Sequence, residues 1–284
     1  MTIYRILPLL PLFSLLCCSG NDHRDIHQIP SPFVYSIIEH NDSLFYSTRF
    51  GEIFRIDPKY PEHPAQIGLS KFSPIRSLRF KHNGELWAAS YETGVHRVLS
   101  DTLLPIPDFR RRAWSMVIDH NDNVWLAGRT GIFRQCGDSL KKFSSMHEVY
   151  DVDLFNGRLV AAHRHGITLF DTLSEQAVAS FCRDTICWSV DIADTVCIGT
   201  GIGVCVLIKR NNRTSTIIVP PKDNLPWNAA RDRKGIIYLA TQKGLFRILP
   251  GAVRAECMGF SNQCIKTVFI DTDDRLWIGK YFSP

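Results

Sequence analysis

One short pattern recurs seven times along this 284-residue chain. A run of strand-forming residues carries a bulky side chain, and a glycine follows six or seven positions later. The bulky positions are Phe45, Trp87, Trp125, Val160, Cys197, Tyr238 and Trp277, at spacings of 42, 38, 35, 37, 41 and 39 residues. The glycines are Gly51, Gly94, Gly131, Gly166, Gly203 and Gly244, and the seventh unit reaches Pro284 without one. A period near forty built from strand-like units marks a β-propeller. One unit cannot bury both of its own faces, so the repeat predicts a single ring rather than two domains. Function is then sought around the central axis.

The third unit shows the grammar most clearly. Residues 114–119 alternate in polarity as an innermost strand does. His120, Asn121, Asp122 and Asn123 supply turn chemistry, because Asn and Asp tolerate left-handed backbone. Residues 124–128 form a second strand, Arg129, Thr130 and Gly131 turn again, and residues 132–135 return as a third. Residues 139–143 are more polar and suit the outer rim. The first turn recurs at 40–42, 82–84, 156–157, 233–235 and 272–274, and the second hairpin at 94–97 and 244–247. The acidic turns lack the spaced ligands of a calcium loop, so no metal is expected there.

Ile118-Asp-His-Asn-Asp-Asn-Val-Trp-Leu-Ala-Gly128, Ile270-Asp-Thr-Asp-Asp-Arg-Leu-Trp-Ile-Gly279 and Thr241-Gln-Lys-Gly-Leu-Phe-Arg247 resemble the two-component-regulator propeller repeat. That repeat runs through an acidic strand end, Asp-x-x-Gly, Leu-Trp-Ile-Gly-Thr, then Gly-Leu with an aromatic and Arg. The resemblance covers residues 33–284, with the fourth and fifth units degenerate. It implies a periplasmic sensor propeller, a class usually followed by a membrane helix and a histidine kinase and often responsive to glycans.

Counting refines the expectation. Seven units need about 270 residues, and the stretch from Cys18 to Pro284 holds 267. The fold class is therefore all-β: a seven-bladed β-propeller of four-stranded antiparallel blades, spanning 33–284, with no signalling domain. The last unit is short of strands. It is expected to be incomplete, or closed by an N-terminal strand near His27, Gln28 and Ile29 within a linker at 18–32. A truncated relative of a longer sensor is the alternative.

The N-terminus reads as a targeting segment. Residues 6–16 form an apolar run too short to span a bilayer. It ends in Leu15-Leu16-Cys17-Cys18-Ser19-Gly20, which resembles the lipobox of bacterial lipoproteins. This assigns 1–17 to a lipoprotein signal peptide and lipidation to Cys18, with a plain cleaved signal or an uncleaved anchor as alternatives. The expected location is the cell envelope, on the periplasmic side or the outer membrane, with the membrane contacted through an N-terminal lipid. The net charge of +5 is scattered, with no basic run longer than Arg110-Arg111-Arg112, which favours a solvated surface over a nucleic-acid footprint.

Seven cysteines follow: Cys136, Cys182, Cys187, Cys197, Cys205, Cys257 and Cys264. In an oxidising compartment the pairs 182/187, 197/205 and 257/264 could bridge, yet small buried hydrophobes are the favoured reading. No paired Cys-x-x-Cys spacing points to zinc, and Gly199-Thr-Gly-Ile-Gly203 joins two strands, so it is a turn rather than a phosphate loop. The histidines, His163 and His165 among them, read as dispersed loop residues without a nucleophile–base arrangement. No cofactor is expected.

Superposing the repeats yields one column at the start of each innermost strand: Tyr35, Arg76, Trp114, Tyr150, Trp188, Trp227 and Lys266. Five are aromatic and two cationic. The loops after the second strands add Arg49, Phe50, Tyr91, Glu92, Arg129, Arg164, His165, Gln242, Lys243 and Lys280. Aromatic faces beside cations suit a sugar ring or an acidic glycan, although a repeated aromatic can equally pack one blade on the next. The expectation is a non-catalytic ligand-binding or sensing propeller, with a glycan or other small ligand at the channel mouth. An interaction scaffold for an envelope protein partner is the alternative. A propeller lyase or hydrolase is less favoured, since the repeat places no general base.

Overall fold

Alternating apolar residues fold this chain into strands alone, and among the described residues every regular element is a strand. The computed structural model describes residues 25–70, 73–99, 102–106, 112–137, 139–193 and 195–281. The expected signal segment 1–17 and the lipidation candidate Cys18 lie outside them. Six blades are four-stranded antiparallel sheets in sequential order, at 34–69, 75–105, 115–144, 149–181, 187–218 and 226–259. The seventh combines Cys264–Ile270 and Leu276–Tyr281 with the N-terminal strand Ile26–Gln28. The expected closing strand is thus present. It sits beside the second strand as the outermost strand of a three-stranded blade and runs parallel to its neighbour, with Ile26 opposite Leu276 and Gln28 opposite Ile278. Ile29 N–H extends the ladder to Ile278 O at 3.0 Å, and the His27 ring stacks on Trp277 at 4.7 Å.

The core is divided among the seven joints between blades. Between the third and fourth, Val117, Trp125 and Ala127 pack on Val149, Val152 and Leu159. At the closing joint, Ile29, Val34, Leu44 and Tyr46 pack around Trp277. The seven bulky repeat residues are all buried and wedge six of the seven joints; Val160 and Cys197 share the joint between the fourth and fifth blades, and Ile198 packs instead between the fifth and sixth. Burying one such side chain contributes roughly 1.5–3 kcal/mol.

The acidic turn residue is explained by the same wedge. Asp119 accepts hydrogen bonds from the Asn121 and Asn123 amides, both at 2.9 Å, and from Trp125 Nε1 at 3.1 Å. Asp271 does likewise for Asp273, Arg275 and Trp277 Nε1, and Asp232 for Ile236 and the Tyr238 hydroxyl. One carboxylate therefore closes the first turn and fixes the aromatic that follows it. Burial alone raises the Asp119 and Asp271 pKa values, but these donors outweigh it and hold both below the usual carboxylate range. The repeat glycine is equally specific: at Gly131 (φ +136°) a Cβ would stand 2.2 Å from Ser144 O.

All seven cysteines in the described residues are free thiols. Cys197 and Cys205 cannot bridge, which removes that pair from the alternatives to the favoured reading. Cys197 lies opposite Ile208 and Cys205 opposite Thr200, so the two point to opposite faces, one toward the fourth blade and the other toward the sixth. Cys187, Cys197 and Cys205 are buried, as small hydrophobes would be.

Candidate ligand site at the channel mouth

The column residues owe their orientation to a repeated irregularity. In six inner strands the pairing with the second strand skips one residue, between Val34 and Ser36, Ile75 and Ser77, Val149 and Asp151, Cys187 and Ser189, Pro226 and Asn228, and Ile265 and Thr267. The skipped residue is the column member each time: Tyr35, Arg76, Tyr150, Trp188, Trp227 or Lys266. A β-bulge leaves its extra residue out of the ladder and re-aims its side chain. In the third blade Trp114 directly precedes the strand, its N–H bonded to Ala127 O at 2.8 Å. All seven side chains line one cavity of about 590 Å³ on the axis, and all are half-buried.

These side chains touch in a closed circle. Arg76 lies over Tyr35 (5.4 Å) and over Tyr91 (5.8 Å). Tyr91 stacks on Trp114 (6.3 Å, 5°), and Trp114 on Tyr150 (5.3 Å, 7°). Tyr150 meets Trp188 at 39° and Trp188 meets Trp227 at 60°. Lys266 Nζ lies 3.8 Å from the Trp227 ring centre and 5.8 Å from that of Tyr35, completing the circle. The ring packing therefore differs around the rim. On the Tyr91–Trp114–Tyr150 arc the flat faces cover each other. On the Trp188–Trp227 arc the rings splay and leave face area open to the cavity. The indole Nε1 of Trp188 is buried without an acceptor, and Trp227 Nε1 faces the Cys264 thiol.

Below the rim, a second ring of polar residues ties each blade to the next. The Leu78 amide donates to Ser36 Oγ (3.4 Å), Ser77 Oγ to Met116 O (3.3 Å), and the Val152 amide to Ser115 Oγ (3.4 Å). The Val190 amide donates to Asp151 (3.0 Å), Ala229 to Asp191 (3.0 Å), and Val268 to Asn228 Oδ1 (2.8 Å). Six joints are laced in this way. Asp151, Asp153 and Asp191 form an acidic arc on the fourth and fifth blades, and Arg79 and Arg231 also line the cavity. Reading one column missed this layer. Its signal was the Ser, Asp, Asn or Thr that directly follows each column residue.

The electrostatics separate the two levels. Burial, then the neighbouring Arg76 charge, pushes the Lys266 pKa down to about 7. Burial lowers Arg76, with the Tyr35 and Tyr91 phenols acting the other way, and burial raises Tyr35 against the Arg76 charge. Burial pushes Asp153 up to about 6, with Arg79 opposing it. Asp191 is raised by burial and then by the Asp151 charge, and Asp151 by burial despite its hydrogen bonds.

The loop candidates stand around the mouth, not in it. Arg49, Arg129, Arg164, His165 and Lys243 are absent from the cavity lining. Arg49 donates to the Tyr281 hydroxyl at 2.7 Å and lies over Phe33. Arg164 pairs with Glu148 at 2.9 Å. Arg129 and His165 are exposed, and Lys243 is half-buried with its amide turned to Thr241 and Asn224. Tyr91 is the loop residue that joins the rim. His163 corrects the expectation of an exposed loop histidine: it ends the strand Arg158–His163, is buried, and bonds Thr168 Oγ1 at 3.0 Å. Burial pushes its pKa down to about 4.

No family model matches the chain, and no curated protein matches it. Its shape is similar to several solved propellers. The extracellular domain of a putative one-component system of B. thetaiotaomicron superposes with a TM-score of 0.72 at 12% identity, over 89% of this chain and 42% of that one. The chain thus spans about two-fifths of that domain. Virginiamycin B lyase from Staphylococcus aureus gives 0.72 at 11% identity, over 87% of this chain and 92% of the lyase. The WD40 propeller domain of Doa1 gives 0.74 at 10% identity, over 88% and 90%. At such identities the shared property is the fold, which sensors, an enzyme and a WD40 domain all use.

Proposed function

We propose that this protein is a non-catalytic ligand-binding propeller of the cell envelope, a sensing module that takes a glycan at its channel mouth. The observation that carries the reading is the splayed arc of Trp188 and Trp227 beside Lys266, opening on a cavity of about 590 Å³. Tilted indoles offer flat apolar area, and the Lys266 amine beside Trp227 offers a charged donor. The likeness to an extracellular sensor domain supports this reading, as does the repeat resemblance. The lipid anchor at Cys18 belongs to the same proposal.

Isothermal titration against a glycan panel tests it. Trp188→Ala with Trp227→Ala should weaken the best ligand at least ~10-fold, the equivalent of about 1.4 kcal/mol, while the strand signature in circular dichroism persists. Undiminished affinity in a folded double variant refutes the placement.

A second reading has one observation in its favour. Lys266 and Asp153, with pKa values of about 7 and about 6, line the same cavity, and groups poised near neutrality are what acid–base catalysis uses. The lyase superposition is compatible with it. Consumption of a bound ligand, abolished by Lys266→Met or Asp153→Asn, would establish it in place of simple binding.

A further inference from the structure

We propose that the rim is an oxyanion receptor: its ligand carries a carboxylate, sulfate or phosphate group, held between Arg76 and Lys266. The inference rests on the reading of the rim as a ligand site and names the chemistry that site selects.

The first argument is the donor balance. The rim presents Arg76, Lys266 and the phenols of Tyr35 and Tyr150, and the column contains no carboxylate or amide. Arginine and lysine are donors only. Such a set is complementary to an acceptor-rich group. Second, the two cations flank one phenol, Arg76 at 5.4 Å and Lys266 at 5.8 Å from the Tyr35 ring. Among the described residues neither forms an ion pair. Of the acids that line the channel, Asp151 attracts Arg76 without forming an ion pair with it, and Asp151 and Asp191 accept amides of the next blade. Third, two like charges have been brought together in a sheltered site, which is unfavourable unless a counter-charge arrives.

The lowered pKa of Lys266 is the protein's response when no anion is present. A bound anion reverses it, so binding takes up a proton on Lys266 near neutral pH and weakens as the pH rises past about 7.

The test compares inorganic sulfate, a disaccharide containing glucuronate and its glucose counterpart, on the wild-type chain and on Arg76→Met, Lys266→Met and the charge-retaining Arg76→Lys. We expect the glucuronate form to bind at least ~10-fold tighter than the glucose form at pH 6.5, with the preference lost in either Met variant and kept in Arg76→Lys. Sulfate should raise the melting temperature of the wild type above an equal ionic strength of chloride, and not that of the Met variants. If both disaccharides bind equally and the Met variants leave the ratio unchanged, the proposal is overturned while the rim remains a glycan site. If sulfate stabilises the wild type selectively and neither disaccharide binds, the oxyanion site stands and the glycan reading falls. No response to any of the three probes overturns the proposal.

Discussion

Replacing Lys266 with Met should stabilise this protein, and by an amount that depends on pH. The Lys266 amine has an ordinary value of 10.5 and is held at about 7 in the fold. At 1.36 kcal/mol per pH unit, that lowering corresponds to about 5 kcal/mol of penalty for carrying the charge in the ring. The side chain borders an open channel, whose water screens it, so about 2–3 kcal/mol is the working figure. The sign follows from proton counts. Between pH 7 and 10.5 the unfolded chain holds a proton that the folded one has released, so stability rises with pH across this window. Below pH 7 the full penalty is present. Methionine keeps the stem length, makes favourable contact with Trp227, and carries no charge. The gain of Lys266→Met over wild type, from urea unfolding, should be about 2–3 kcal/mol at pH 6 and about half that or less at pH 9. Taking the difference between variant and wild type cancels the titration of Asp153 and the other acids. A gain that is the same at both pH values within ~0.5 kcal/mol would refute the reasoning, because Lys266 would then not titrate between folded and unfolded states.

Three further outcomes follow from the repeat itself. Asp271→Ala removes the acceptor for Trp277 Nε1 and the turn amides, and should destabilise the seventh blade by about 2–4 kcal/mol in thermal or urea melts. Because its carboxylate is held below the ordinary range, the wild-type advantage is complete above about pH 4 and shrinks as the pH falls through the folded value. Gly131→Ala should destabilise by roughly 2 kcal/mol or more, since its φ is +136° and its Cβ would meet Ser144 O. The thiols of Cys182 and Cys187 hydrogen-bond to each other, so oxidation should join these two first, and peptide mapping should find Cys197 and Cys205 unbridged.

The blade count, the wedges and the identity of the column were legible because a repeat supplies its own alignment: Trp125 in one blade and Trp277 in another mark the same place. The motif that joins Asp119 to Trp125 was legible for the same reason, although the hydrogen bonds behind it were not. What remained hidden depends on parity and on distance around the ring. A single skipped residue in six of the inner strands turns side chains such as Tyr35 or Lys266 toward the axis, and no local pattern marks a bulge. Cys197 and Cys205 form one of the candidate pairs by spacing, yet an odd offset in register sends them to opposite faces. Asp151 and Asp191 read as strand polar residues until the next blade's amides arrive, nearly forty positions later. Tyr91 completes the rim from a loop, through Arg76, with no counterpart in the other repeats.

The strand that joins the two ends of the ring has a mechanical consequence. Elsewhere each blade is a set of antiparallel ladders made from contiguous chain. The seventh is completed by three residues, Ile26–Gln28, in parallel register, an arrangement less stable per residue than the antiparallel one. Under heat or denaturant the molecule should part there first, as a split washer opens at its cut, leaving an arc whose other joints still hold. The amides of Ile29 and its neighbours would then exchange with solvent ahead of those in the middle blades. Anything that grips the rim on both sides of the cut, as a ligand held by Lys266 of the last blade and Tyr35 of the first would do, acts as a clasp.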